Sequence, residues 1–220
     1  MKYVQLLPDG NDHRDVAFYL AMEEHLAKSV VCAGKENELF FMWQVDSSVV
    51  YGRNQVLENE VNVDYCSEHG IKMFRRKSGG GCVYADRGNV MLSYITRNEN
   101  VAFTYNKFMN MLLLVMRKLG LEAVGTSHND VLIDNRKVSG TAFFHLPGCS
   151  IVHATLLYDT NMEHMVNAIT PGPEKLQAKG IKSVRQRITL LKDYISLNID
   201  ELKDFIRETL CDGELLYHQI

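Results

Sequence analysis

Apolar and polar positions change period several times along the chain of 220 residues. Tyr3 to Leu7 reads as a short strand, and Pro8 to Asp12 as a turn that offers Asp12 as a helix cap. From Val16 to Ala27 an apolar side and a charged side alternate at helical spacing. The adjacent acids Glu23 and Glu24 are expected on its solvated face. Leu39 to Val45 is a run suited to a buried strand, and Ser48 to Tyr51 is another. Val61 to His69 reads as a short helix closed by Gly70. Ile71 to Phe74, Val83-Tyr84 and Val90 to Ile95 read as strands, the last two separated by the turn residues 85 to 89.

The longest helical stretch is Phe103 to Leu119, with Phe108, Met111, Leu112, Val115 and Leu119 on one stripe and Gly120 as its stop. Strands are expected at Glu122 to Val124, Val131 to Ile133, Lys137 to Phe144 and Ile151 to Leu157. Asp134-Asn135 forms a tight hairpin turn between two of them. Asn161 to Ala168, Glu174 to Ala178 and Leu197 to Thr209 return to helical spacing, with a basic stretch at residues 180 to 187. Strands and helices share the chain without repeat or evident linker, which suits one large α/β domain or one domain with a small appendage.

Composition adds a bias toward small ligands. Hydrophobic residues make up 46% and charged residues 23%, ordinary for a globular protein. The net charge of -3 argues against a nucleic-acid partner. The basic residues are clustered, however, at Arg75, Arg76 and Lys77 and again at Lys179, Lys182, Arg185 and Arg187. A positive cleft on a mildly acidic protein suits a small phosphorylated ligand. The five cysteines are an odd number without metal-ligand spacing. No signal peptide or membrane-spanning run is evident, so the cytoplasm is the expected compartment.

The candidate chemistry centres on Arg75 to Ser93. Gly79, Gly80 and Gly81 have no side chains to bury and suit a backbone that must approach something closely. With basic residues just before them they form either an anion site or a glycine-rich hairpin. Strands on both sides distinguish the stretch from a Walker A or dinucleotide-binding loop. Lys137 starts a strand expected to be largely buried, and Gly140 leaves room for a close approach. Lys137 is either a surface charge or an electrostatic stabiliser of a phosphate. Asn129-Asp130 is either a turn or a source of a Mg²⁺ ligand, since Mg²⁺ favours carboxylate with phosphate oxygens. Trp43, the only tryptophan, is either core or the wall of a ligand pocket.

Several segments together resemble one family. RRKSGGGCVYADRGN (Arg75 to Asn89) resembles the RR-x-SGGG-x-V-[FY]-H-D-x-GN signature of lipoate–protein ligase A. NDVLIDNRKVSGTA (Asn129 to Ala142) resembles its ND…K-[IV]-SG-[ST]-A segment. HATLLYD (His153 to Asp159) is similar to its HGTLL strand, and the stretch from Leu176 to Leu191 to its AKGI-x-SVR-x-R stretch. LAMEE (Leu20 to Glu24) and the run from Met42 to Gln55 also match, in the family's order.

The resemblance implies an α+β fold: a mixed, mostly antiparallel sheet with surrounding helices, as in the biotin and lipoate ligase catalytic domain. It implies an enzyme that activates lipoate with ATP and Mg²⁺ to lipoyl-AMP. The acyl group then passes to a lysine of lipoyl domains, in E2 subunits of 2-oxoacid dehydrogenases or the glycine cleavage H protein. Lys137 would be catalytic. Arg76, Gly79, Gly80, Gly81, Cys82, Val83, Tyr84, Asn89, Asp130 and Lys137 would bind ATP or lipoyl-AMP. Trp43, Ser78, Gly79, Lys137 and His153 would form the lipoate pocket, and Asp130 would be the metal ligand. Residues 1 to 220 would be a single catalytic domain lacking the family's C-terminal accessory domain, with a separate accessory chain as a possible partner. The chain departs from the pattern at Ala85, where the family has histidine, at Val152, where it pairs two histidines, and at Ala154 for glycine. The alternatives are a lipoyltransferase that takes ready-made adenylate or a lipoylated donor, and a non-catalytic lipoate or adenylate binder.

Overall fold

The computed structural model describes residues 1–7, 13–127, 129–169 and 187–218. The turn expected at Pro8 to Asp12, the helix at Glu174 to Ala178 and all of the second basic cluster but Arg187 lie outside the described residues. Eight strands form the large sheet: β1 (Lys2–Leu6), β2 (Glu38–Trp43), β6 (Asn89–Thr96), β7 (Ala123–Gly125), β8 (Asp130–Ile133), β9 (Arg136–Leu146), β10 (Cys149–Leu157) and β11 (Leu215–His218). Their order is β11-β1-β2-β6-β10-β9-β8-β7. The β11-β1-β2 edge is parallel and the rest antiparallel, so the sheet is mixed and mostly antiparallel.

A second sheet holds β3 (Ser48–Tyr51), β4 (Lys72–Arg75) and β5 (Val83–Ala85) in the order β4-β3-β5. The strands flanking the glycine stretch therefore both pair with β3 rather than with each other. The stretch is a crossing loop over the end of β3, not a hairpin.

Every residue of β6 is buried, because its two faces enter different cores. Val90, Leu92 and Tyr94 face one, with Phe40 of β2. Met91 and Ile95 face the other, with Phe41 and Trp43. Such a strand reads as a continuous apolar run because neither side meets water. The first core is closed by α4 (Val101–Lys118), through Phe108, Leu112 and Val115, and by α6 (Ile199–Leu210), through Leu202 and Ile206. The second is closed by α1 (Val16–Leu26), through Val16, Met22 and Leu26. A third lies under the small sheet, where α3 (Val63–Glu68) meets α5 (Met162–Ala168). A short α2 (Leu57–Glu60) precedes α3.

Local chemistry sets the boundaries. Asp15, not Asp12, caps α1, accepting from Phe18 N at 3.1 Å. Asn198 caps α6 in a reciprocal box with Glu201. Asp134 and Asn135 carry φ of 49° and 60°, the left-handed pair that a tight hairpin between β8 and β9 demands. Glu23 departs from expectation: it is 3% exposed and faces inward, while Glu24 pairs with Lys28 and Lys77 outside. Glu23 lies seven residues after Val16 and four before Ala27, so it falls on the apolar stripe itself. Among the described residues no helix is long and apolar enough to cross a membrane.

Asp86 clasps the turn after β5 to the start of α5, accepting from Gly88 N at 2.9 Å and Asn161 N at 2.8 Å. Asp86→Ala leaves both donors unpaired and is expected to cost about 1–3 kcal/mol in urea unfolding. Burial raises the Asp86 carboxyl above its ordinary value of 3.8. The folded chain thus holds this proton more tightly than the unfolded one. Its contribution to stability falls as pH rises from 3.8 through the folded pKa. Asp86→Asn should remove that segment of the stability–pH profile.

Candidate active site

A cavity of about 630 Å³ opens between the two sheets. Its apolar lining comes from Val16 and Leu20 of α1, Trp43 of β2, Val50 of β3 and Met91 of β6. Its charged lining comes from Arg76, Asp130, Lys137 and Arg187, with Glu60. Residues 80 to 84 of the glycine loop and β5 complete the wall. The structure therefore brings Trp43, Arg76, Gly80, Gly81, Cys82, Val83, Tyr84, Asp130, Lys137 and His153 to one cavity.

The shape of the loop is set by Arg76. Its guanidinium is buried, and Nη2 donates to the carbonyls of Gly79 and Gly81, both at 2.7 Å. Nη1 donates to the Val50 carbonyl at 2.9 Å, and Nε to Ser78 Oγ at 3.0 Å. Burial lowers the affinity of Arg76 for its proton, since fewer waters stabilise the charge. With the carbonyls of Gly79 and Gly81 turned onto a cation, the N–H groups of residues 79 to 81 donate to no main-chain carbonyl among the described residues. Uncommitted N–H groups beside a fixed positive charge form an anion cradle. Gly80 takes φ +92°, and a Cβ on Gly52 would lie 2.3 Å from the Gly80 carbonyl oxygen. Both positions thus require glycine, one for its dihedral and one for the close approach.

Lys137 reaches Asp130 across the β8–β9 pair, with Nζ to Oδ1 at 2.8 Å. Asp130 pairs with Gly140 in register. A Cβ at 140 would sit 2.5 Å from Lys137 Nζ and 2.7 Å from its Cε. The close approach that Gly140 permits is thus by the chain's own lysine. Arg187 Nη2 takes the other oxygen of Asp130 at 2.5 Å. Among the described residues no three His, Cys, Asp or Glu side chains converge as metal ligands. Both Asp130 oxygens already serve cations, so Mg²⁺ fits here only as an ion carried mainly by phosphate oxygens.

A second polar chain runs behind the cavity wall. Trp43 Nε1 donates to Ser93 Oγ at 2.9 Å, and Ser93 Oγ donates to Glu23 Oε1 at 2.5 Å. His153 Nδ1 lies 3.1 Å from Glu23 Oε2, and its Nε2 lies 2.7 Å from Ser78 Oγ. A carboxylate only accepts, so Nδ1 carries the proton and Nε2 receives the Ser78 hydroxyl. Hydroxyl, imidazole and carboxylate in this order form a nucleophile triad in hydrolases. Here Ser78 is 2% exposed and also receives the Arg76 Nε–H, so the chain braces the loop against α1 and Trp43. Trp43 also stacks on Tyr19, with ring centroids 4.6 Å apart.

Three expected site residues do not line the cavity. Ser78 reaches it through Arg76 and His153. Gly79 contributes its carbonyl to Arg76. Asn89 is fully buried, donating to the Tyr84 carbonyl and accepting from Thr160, which fixes the turn after β5. Ala85 is fully buried in the core with Val50 and Met91, so that departure from the family pattern falls in packing. Sequence reasoning gave no role to Glu23, Ser93 or Gln55. Gln55 lines the cavity and accepts from Gly52 N at 2.7 Å. For Glu23 the available signal was an acid on an apolar stripe.

Glu23→Gln keeps the volume but sets an amide N–H₂ against the Ser93 hydroxyl or the His153 N–H. Urea melts are expected to show a loss of about 1–3 kcal/mol, from a buried donor left unpaired.

Comparison with known proteins identifies the family and the fold. The model of the lipoyl protein ligase A/B catalytic domain matches residues 15–211. Lipoate-protein ligase LplJ of Bacillus subtilis is 34% identical over 191 residues, covering 86% of this chain and 57% of the relative. Lipoate–protein ligase 1 of Staphylococcus aureus is 33% identical over 214 residues, covering 96% of this chain and 63% of the relative. The chain thus spans less than two thirds of the length of either. Among solved structures, the bi-partite lipoate protein ligase of Thermoplasma acidophilum, described with its E2 lipoyl domain, superposes with a TM-score of 0.80 at 27% identity, covering all of this chain and 87% of that one. A lipoate-protein ligase A bound with ATP shares the fold at a TM-score of 0.80 and 23% identity, covering all of this chain and 88% of that one. With a glycine loop pinned by Arg76 and a lysine set beside it on the same cavity, the chain belongs to the lipoyl protein ligase A/B catalytic-domain family.

Proposed function

We propose that this chain joins lipoate to protein lysines through an acyl-adenylate. The observation that carries this reading is the meeting, in one cavity, of an apolar wall around Trp43 with Lys137 and the glycine cradle. An aliphatic acid needs the first and a phosphate needs the second. Lipoate carboxylate attacks the α-phosphorus of ATP, forming a carboxyl O–P bond as the bond to the β-phosphate oxygen breaks and pyrophosphate leaves. A lysine amine of the acceptor then attacks the acyl carbon. The C–O bond to AMP breaks, AMP departs, and the amine proton is released.

Each step concentrates negative charge on the acyl and α-phosphate oxygens. Lys137 offsets that charge where it develops, and the N–H groups of residues 79 to 81 hold the phosphates. Arg76 acts on the nucleotide through the loop that it shapes. Cys82, Val83 and Tyr84 line the nucleotide. Trp43 and His153 bound the acyl chain, with Ser78 fixing His153. Asp130 would hold Mg²⁺ together with the phosphate oxygens, and the ion would supply positive charge that neutralises them.

The relatives' names support lipoate as the acid. The archaeal neighbour's description supports an E2 lipoyl domain as acceptor, and the glycine cleavage H protein is the other candidate. That neighbour is called bi-partite, which supports a separate accessory chain as partner. Residues 1 to 220 act as one catalytic domain, a reading supported by the pairing of β1 with β11. The cysteines described as free thiols suit a reducing cytoplasm.

Purified protein with radiolabelled ATP, lipoate and a lipoyl domain tests the proposal. Pyrophosphate release and acyl transfer are expected, with lipoate preferred over biotin. Absence of both pyrophosphate release and transfer from synthetic lipoyl-AMP removes it, while transfer alone leaves a lipoyltransferase. Lys137→Met is expected to lower transfer from lipoyl-AMP by about 10²–10³-fold. Thermal melting should stay near that of the parent protein, since Arg187 still pairs with Asp130. Transfer at the parent rate would refute the role of Lys137.

A further inference from the structure

Asp130 is 7% exposed and holds two cations, Lys137 on Oδ1 and Arg187 on Oδ2. One carboxylate offsets only one of them. The main chain places Arg187 there: Ile188 forms a parallel bridge with Lys137, and Thr189 N donates to the Lys137 carbonyl at 2.9 Å. The residue just before that bridge is thus brought to the lysine's own counter-ion. Gly140 supplies the gap through which the lysine side chain lies back onto Asp130.

Two facts of physical chemistry give this arrangement a consequence. A buried carboxylate stripped of its partner is costly, so a lysine that is the sole partner of such a group resists leaving it. An arginine stays charged under all ordinary conditions and can hold the carboxylate alone. Its positive charge also repels the nearby ammonium.

Building on the proposed role of Lys137, we infer that Arg187 is a positioning residue that keeps Asp130 neutralised, so that the Lys137 ammonium can leave it for the oxygens of a bound acyl phosphate. Arg187 touches neither reacting atom. It lowers the cost of moving the cation that does. The resting pair of Lys137 with Asp130 becomes a parked state, and Arg187 sets how readily it is left.

The test is a double-mutant cycle on Arg187 and Asp130, read as the single-turnover rate from synthetic lipoyl-AMP to a lipoyl domain. Arg187→Gln alone is expected to lower that rate about tenfold, as sites sharing one partner couple strongly. In an Asp130→Asn background the same change should have no further effect, since no carboxylate is left to neutralise. Arg187→Lys should restore part of the loss.

A parent-like rate in Arg187→Gln, or additive losses in the double variant, would each overturn the inference. Where Arg187→Gln melts early, the comparison of the double variant with Asp130→Asn alone decides, because neither contains an orphaned carboxylate. An inactive Lys137→Met with an additive cycle refutes Arg187 alone. A fully active Lys137→Met refutes the underlying assignment of Lys137.

Discussion

The grip of Arg76 on the main chain determines what the rest of the site can be. Four of its contacts go to the loop and to β3. A triple glycine without such a clamp would sample many conformations and lose that freedom on binding. Here the cation is inside the loop and its partners are carbonyls. The loop's dipoles are thereby sorted, with their negative ends on Arg76 and the N–H groups left for an anion. Lysine could not do this, because its single ammonium lacks the planar fork that reaches three carbonyls and a hydroxyl together.

The same guanidinium begins a longer chain of contacts. Through Ser78 it reaches His153, then Glu23 on α1, then Ser93 and the Trp43 indole. The loop, β10, α1, β6 and β2 are thus tied by groups that have few other buried partners. In a buried network each member left unpaired costs more than its bond contributes, so the set holds or fails together. Apolar wall and glycine loop are consequently fixed relative to each other.

Much of this was legible in the sequence. Three adjacent glycines behind two arginines, Lys137 before Gly140, and the stripe of α4 all follow local rules of spacing and dihedral preference, and the structure places them accordingly. The Asp134-Asn135 turn was legible for the same reason. What was not legible depends on pairing between distant segments. Nothing local shows that β4 and β5 both pair with β3, or that β11 returns to β1. Glu23 was misread because adjacent acids usually face water. Its partners, Ser93 and His153, lie 70 and 130 residues away. Arg76 was visible as a cation, but its partners are carbonyls, which no sequence pattern displays.

Charge places the remaining constraint on the cavity. Among the described residues three cations and two carboxylates line it, on a chain whose net charge is -3. Of the cations, Arg76 is met by main-chain dipoles, and Lys137 and Arg187 share Asp130. The described lining therefore carries more positive charge than its own carboxylates offset, within low-dielectric walls that screen it little. A polyanion entering from water is attracted to the place where its charge is met, whereas an aliphatic tail gains only by leaving water for the Trp43 side. Those two driving forces would orient the proposed acyl phosphate before any specific contact forms. A ligand with the polarity reversed would place hydrocarbon against the cations and its phosphate against Val16 and Met91, losing both terms at once.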